Sequence, residues 1–365
     1  MRARAWMVGA AVVGVVGAGL FRPVRFPRPG GPFGVGTTSR HWVDRTRTEI
    51  LSSEPGEVRE LVAQVWYPTT ASRGERSIYL ADAPDVFASL LQALGEVTGG
   101  RTSPPFFLFR KLARSRTNAI IIARVVRGIE LPVIVTAHTI LAEALASHGY
   151  VVVGVDQPFV SARTRLADGR VVRMRRRGHL YDGLGEDEVI AHLAVDVSVV
   201  LDEIARDPVL ARTSSTGSAG VVGVSLGGTV AAAAARTDPR IAACLMMDAA
   251  MPASVAADGI PCAALWLTRP AEDMRRERRR AGGWPEEVIE KTLGSMRAAL
   301  ARQSPGTGRL VSIPGMFHID FTDAPHWFPW ARWVGLSGPI GARCAHRIIN
   351  RSAECFFTRA QIGGG

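Results

Sequence analysis

A serine in a glycine-rich turn has the setting in this chain that most directly suggests chemistry. Ser225 lies within Gly223-Val224-Ser225-Leu226-Gly227-Gly228, between an apolar run and an alanine-rich segment. The G-x-S-x-G pattern predicts a sharp strand-to-helix turn that lifts the serine hydroxyl above the sheet, with small residues at 223 and 227 allowing strand and helix to approach. The helix start would also aim the backbone N–H of Leu226 at a developing oxyanion. We therefore expect Ser225 to act as a nucleophile.

A histidine that could activate this serine lies near the other end of the chain. His318 comes five residues after a predicted strand at 309–313, on a loop that contains Gly315. The chain order serine, acid, histidine is typical of a catalytic triad built on a parallel sheet. We expect His318 to be the general base.

The acid that orients this histidine has three candidates. Asp248 directly follows a predicted strand at 241–247, whereas Glu272 and Asp273 follow the next strand. Asp248 stands in the apolar sequence CLMMDAAMP, where a carboxylate without a partner would be costly to bury. The apolar surroundings favour Asp248, although spacing alone leaves Glu272 and Asp273 open.

Strands that alternate with helices must position these residues. Short apolar runs predict buried strands, helical spacing of apolar residues predicts the helices between them, and together they predict an α/β fold with a mostly parallel sheet and helices on both faces. The predicted strands are 61–67, 131–137, 150–156, 219–224, 241–247, 262–267 and 309–313, and the predicted helices are 141–147, 187–206 and 226–236. The first of these strands is expected to stop at Pro68.

Several segments resemble one known family. These are GGPFGVGTTSRHWVDRTR, VWYP, LAEALASHGYVVVGVDQPF, GVSLGG and PGMFHIDFTD, and the similarity extends from about residue 31 to 357. Together with the spacing of Asp248, they resemble the bacterial branch of the platelet-activating-factor acetylhydrolase family, which is similar to group VII phospholipases A2. The resemblance implies an α/β-hydrolase fold and Ca²⁺-independent cleavage of short or oxidised acyl esters of phospholipids. It also implies Ser225 as nucleophile, Asp248 as orienting acid and His318 as base.

The chain departs from that family where the second oxyanion donor is expected. Family members continue with glycine and a longer loop, whereas here His138 is followed directly by Thr139-Ile140-Leu141. Leu226 would remain one donor, and Thr139 or Ile140 is the candidate for the second. Loss of one donor typically lowers kcat about 10²–10³-fold. An inactive lipid-binding relative is therefore one alternative, and a general short-chain or polyester-type carboxylesterase is another.

The amino terminus indicates an exported or anchored protein. Residues 6–21 carry no charge and follow two arginines, as in a signal peptide or a short membrane anchor. We assign residues 1–30 to this segment and a Pro/Gly-rich lead-in, and residues 31–360 to one catalytic domain. The four cysteines form no C-x-x-C or His/Cys cluster, so no metal site and no cofactor are expected.

The net charge of +11 comes almost wholly from arginine. Residues 163–177 and 275–280 are both arginine-rich and follow predicted strand ends, so we expect a basic rim on the catalytic face that binds an anionic membrane surface. Nucleic acid is not an expected partner, because no helix-turn-helix, zinc or RNP signature accompanies the charge. The expected partner is thus a lipid or another ester substrate.

Overall fold

The computed structural model describes residues 22–89, 109–128, 130–136, 138–175, 184–328, 331–333, 335–360 and 362. The hydrophobic segment at 6–21 therefore lies outside the described residues, as do Arg176 and Arg177. Within the described ranges, no helix combines the length and apolar character that crossing a membrane requires.

A ten-stranded sheet forms the centre of the molecule. Its spatial order is β12-β11-β10-β9-β5-β6-β2-β1-β4-β3. The strands are β1 Gly34–Thr48, β2 Val58–Thr69, β3 Arg76–Ile78, β4 Arg116–Ile121, β5 Leu131–Thr136, β6 Val151–Asp156, β9 Ser214–Val224, β10 Ile241–Met247, β11 Ala263–Thr268 and β12 Gly308–Ser312. The six strands from β12 to β6 run parallel to one another, and β2 joins them in the antiparallel sense. The predicted α/β fold with a mostly parallel sheet is confirmed.

Helices cover both faces of this sheet. They are α1 Arg110–Ala113, α2 Thr139–Ser147, α3 Glu186–Arg206, α4 Leu226–Thr237, α5 Ala253–Asp258, α6 Ala271–Ala281, α7 Glu286–Ala301, α8 Ala324–Trp327 and α9 Ala342–Arg359, with a helical stretch at 83–89 and a 3₁₀ turn at His318–Phe321. Buried residues of α3, α4, α5 and α7 pack on one face, and those of α2 and α9 pack on the other. The parallel strands inside the sheet, unlike the edge strand β12, are thus apolar on both sides, which explains the continuous apolar runs in the sequence.

The end of β2 differs from the sequence prediction, and the structure shows the state of the four cysteines. Strand β2 does not stop at Pro68 but continues to Thr69, with Pro68 opposite Val35 of β1. A proline lacks only the N–H donor, and its carbonyl here accepts the amide of Val126. The four cysteines are free thiols.

The first arginine-rich segment forms a separate hairpin of β7 Arg163–Arg165 and β8 Val171–Arg173. Its arginines are extensively paired with carboxylates: Arg163 and Arg165 with Asp82, and Arg170 with Glu57, Glu60 and Asp168. Much of the charge predicted to face a membrane therefore serves to hold this hairpin against the domain.

Candidate active site

Ser225 occupies a strained turn between β9 and α4. Its backbone is at φ 54° and ψ −128°, and its amide donates to the carbonyl of Met247 at the end of β10 (2.9 Å). A Cβ atom at Gly223 would lie 2.0 Å from the carbonyl oxygen of Gly227, so only glycine allows the helix to start this close to the strand. A Cβ at Gly227 itself would meet no atom within 4 Å, which differs from the expectation that both positions need small side chains. Strain of this kind persists where the surrounding structure enforces it, as at a nucleophile elbow.

The structure brings Asp248 and His318 together at the same edge of the sheet. Asp248 follows β10 in a second positive-φ turn (φ 45°), and its amide donates to the carbonyl of Leu267 on β11. Its Oδ2 lies 2.7 Å from Nδ1 of His318, although the two residues are 70 positions apart in the chain. When Nδ1 donates to this carboxylate, Nε2 of His318 is left as the nitrogen that can accept a proton.

Asp248 is fully buried but lies among donors. Thr268 Oγ1 donates to its Oδ1 (3.1 Å), and Arg269 Nε donates to its Oδ2 (2.8 Å). Burial raises the pKa of Asp248, but the His318 hydrogen bond and the charge of Arg269 outweigh this effect and hold the pKa below its ordinary value. The carboxylate is therefore ionised at neutral pH and able to stabilise a protonated imidazole.

Arg269 and Trp284 complete the surroundings of this pair and were not found from the sequence. The Arg269 side chain is 1% exposed and also pairs with Glu277. The Trp284 ring lies 4.8 Å from the His318 ring and 5.0 Å from the Arg269 guanidinium, measured to ring centroids. One indole thus packs against two of the three side chains that contact Asp248.

The two other candidate acids have different environments. Asp273 is buried, and its Oδ2 accepts the amide of Gly315 (2.7 Å), which has φ 80° in the loop before His318. Glu272 is exposed on α6. Asp273 therefore supports the histidine loop, while Asp248 is the carboxylate that contacts the histidine.

The predicted oxyanion donors differ in their environments. Leu226 is the first residue of α4, where an amide has no acceptor within its own helix. The amides of Thr139 and Ile140, at the start of α2, donate to Oδ2 and Oδ1 of Asp323 (3.1 and 3.3 Å). The Thr139 amide, expected to face a reacting oxygen, thus already has an anionic acceptor.

Asp323 is fully enclosed by groups that stabilise its charge. The hydroxyl of Tyr79 donates to its Oδ2 (3.2 Å), and Nε2 of His346 lies 3.8 Å from its Oδ1. Burial raises the pKa of Asp323, but the hydrogen bond with His346, the charges of His138 and His346 and the amide of Ile140 more than offset burial and lower it. No sequence pattern indicated this contact, because Asp323 belongs to the segment that follows the histidine loop, 184 residues beyond Thr139.

One solved structure supports the fold, and two further structures are similar at a lower level. The ferulic acid esterase of Streptomyces cinnamoneus has a similar structure, with a TM-score of 0.68 and 25% sequence identity over 93% of each chain. A dienelactone hydrolase-like promiscuous phosphotriesterase from metagenomic libraries matches with a TM-score of 0.44 and 11% identity, over 88% of this chain and 99% of that one. A cold-adapted esterase from an Arctic intertidal metagenomic library matches with a TM-score of 0.39 and 13% identity, over 85% and 96%.

No protein-family model matches the chain, and no curated protein does either. The resemblance to the platelet-activating-factor acetylhydrolase family therefore stays a prediction. The α/β-hydrolase fold is established by the sheet and by the first of these structural matches, and its structural neighbours are esterases and other hydrolases. Within the described residues, no group of three or more histidine, cysteine, aspartate or glutamate side chains is arranged to hold a metal ion.

Proposed function

We propose that the protein is a serine carboxylic-ester hydrolase in which Ser225 is the nucleophile, His318 the base and Asp248 the orienting acid. The observation that carries this proposal is the 2.7 Å contact between Asp248 and His318 beside a serine in a positive-φ elbow on the neighbouring strand. His318 would take the Ser225 proton as the hydroxyl attacks the ester carbonyl, and the alcohol would leave with that proton. Water activated by the same histidine would then release the acid from the acyl-serine.

The oxyanion of each tetrahedral intermediate needs at least one donor. The Leu226 amide has the position at the helix start for this role. Because Asp323 accepts the Thr139 amide, our proposal assigns no part in the reaction to Thr139.

Hydrolysis of p-nitrophenyl acetate and butyrate tests the proposal. Ser225→Ala should abolish turnover, whereas Ser215→Ala, near the opposite end of the same strand, should retain it. Equal rates in the parent and Ser225→Ala would refute the assignment. Labelling by a fluorophosphonate separates an active enzyme from an inactive lipid-binding relative, because only an activated serine reacts.

Two substrate classes fit this chemistry. The family resemblance favours short or oxidised acyl esters of phospholipids, cleaved without Ca²⁺, at a membrane to which the amino-terminal segment and the basic rim would bring the enzyme. The similarity to a ferulic acid esterase supports a general carboxylesterase equally well. To distinguish the two substrate classes, kcat/KM is compared for a short-chain phosphatidylcholine, methyl ferulate and a series of p-nitrophenyl esters. Each substrate is measured with EDTA and with Ca²⁺.

The basic rim is tested separately from catalysis. At low salt, vesicles of phosphatidylcholine that contain an anionic lipid should bind more of the full-length chain than vesicles of phosphatidylcholine alone. Equal binding to both kinds of vesicle would mean that the net charge of +11 has no role in membrane binding.

A further inference from the structure

A large cavity with a cationic lining lies beside α8 and the amino-terminal end of α9. Its volume is about 1210 Å³. The described residues that line it include no aspartate or glutamate but six arginine and lysine side chains: Arg22, Arg25, Lys111, Arg332, Arg343 and Arg347. None of these six forms an ion pair with a carboxylate of the described residues, whereas surface arginines elsewhere, such as Arg170, Arg236 and Arg275, do.

Lys111 is the least expected member of this lining. It is only 3% exposed, and its Nζ lies 4.3 Å from the centroid of the Phe328 ring. A buried ammonium without a counter-ion is costly, and burial accordingly lowers the pKa of Lys111 to about 8. An anion that entered the cavity would stabilise the charged form of Lys111.

The start of α9 adds backbone donors to the same cavity. This helix has 18 residues, and Gly341 precedes it at φ 78° without any side-chain cap. Gly341, Ala342 and Arg343 all line the cavity, so the uncapped end of a long helix faces it. Free amides and the positive end of the helix dipole favour a bound anion, as at phosphate sites in other folds.

Apolar groups form much of the remaining wall. Val24, Trp327, Phe328 and Ile340 line the cavity together with the basic residues. The volume exceeds what an inorganic anion needs and is large enough for an organic ligand. The lining therefore suits a ligand that carries a strongly anionic group on an apolar body.

We propose that this cavity binds a phosphate group attached to an apolar moiety. Guanidinium groups pair with phosphate through two parallel hydrogen bonds, and several cations around one cavity favour a group that carries more than one negative charge. A phospholipid headgroup and a free alkyl phosphate share this chemistry. The assignment does not depend on ester hydrolysis, because the cavity residues are not those of the proposed triad.

Calorimetric titration of the full-length chain with octyl phosphate, at constant low ionic strength and below its micelle concentration, tests the site. Lys111→Met and Arg347→Ala should each weaken binding about tenfold, since each removes one charge-assisted contact. Arg297→Ala removes an exposed arginine on α7 that is not part of the cavity lining, so it should leave affinity unchanged. Arg347 is exposed, so this variant keeps the test valid even where Lys111→Met affects folding.

Vesicles of phosphatidylcholine with and without phosphatidic acid distinguish the two sources of phosphate. Binding of octyl phosphate that depends on Lys111 and Arg347 supports the site and shows that it accepts a soluble ligand. Binding only to phosphatidic acid vesicles, with the same dependence on both residues, supports the site and assigns it to a headgroup. Absence of binding to both, equal affinity in all variants, or equal affinity for octanoate would overturn the proposal.

Discussion

Replacement of Thr139 by proline tests whether the amide at the start of α2 takes part in catalysis. Proline removes the amide N–H but is well tolerated at the first position of a helix, which Thr139 occupies. The preceding residue, His138, is extended at φ −117° and ψ 121°, the conformation that favours a following proline. The substitution therefore deletes one donor with little change of the backbone.

The structure predicts that Thr139→Pro lowers stability clearly but changes activity little. The Thr139 amide donates to the buried carboxylate of Asp323, so its loss should lower the free energy of unfolding by about 2 kcal/mol, within the range for hydrogen bonds to charged groups. Asp323 keeps its contacts with Ile140 and Tyr79. Because the amide is engaged there, kcat should stay within about threefold of the parent, less than about 1 kcal/mol in the barrier.

The assay combines urea unfolding with p-nitrophenyl butyrate hydrolysis for three proteins: the parent, Thr139→Pro and Thr139→Ala. The alanine variant loses the same side chain but keeps the amide, so the difference between the two variants reports on the N–H alone. A fall in kcat of about 10²–10³-fold in Thr139→Pro only, with an unchanged free energy of unfolding, would refute the reasoning. That result would mean that the amide leaves Asp323 and binds the oxyanion.

Three further predictions concern stability. Arg269→Met should destabilise the fold by about 3–5 kcal/mol, because it removes the buried cation that pairs with Asp248 and Glu277. In urea unfolding the deficit should be largest above about pH 4 and shrink in acid, where Asp248, whose pKa the arginine lowers, becomes protonated. Gly223→Ala should lower the free energy of unfolding by about 1–3 kcal/mol or more, because its Cβ would lie 2.0 Å from the carbonyl oxygen of Gly227. Gly227→Ala should be tolerated, since a Cβ there would meet no atom within 4 Å. Thermal denaturation of both variants measures the difference, and equal melting temperatures would contradict the packing argument. Burial raises the pKa of Glu143 from 4.5 to about 7, so its contribution to the free energy of unfolding should be complete below pH 4.5 and fall by about 3 kcal/mol as pH rises through 7. Urea titrations across this range should show that slope in the parent and its absence in Glu143→Gln; an unchanged slope in the variant would assign it to another group.

The sequence predicted the elements that position the site because the strands are covered on both sides. Such strands are short continuous apolar runs, and β10 has the predicted bounds of 241–247. The elbow at Ser225 was also predictable, since the close contact between strand and helix at this turn restricts position 223 to glycine. Both features depend on residues that are close together in the sequence, so short sequence patterns predict them.

The partners of the site were not predictable, because they depend on contacts between distant segments. Arg269 follows Thr268 at the end of β11 in a sequence without a pattern, and only the register of β11 beside β10 places it against Asp248. Asp323 reaches the start of α2 through the loops that follow β12. The expectation for Thr139 was derived from its position after β5 and could not include a carboxylate from another part of the chain.

The long-range contacts also determine when the site forms during folding. The Asp248–His318 pair closes a loop of 70 residues, and the contact of Asp323 with Thr139 closes one of 184. Contacts at such separation carry a larger loop-closure entropy than local ones and slow folding. On a ribosome, β5 and α2 leave the exit tunnel long before Asp323 is synthesised, so the start of α2 lacks its anionic cap for most of translation. The proposed triad therefore forms late in biogenesis, only after the segment that carries His318 has docked onto the sheet.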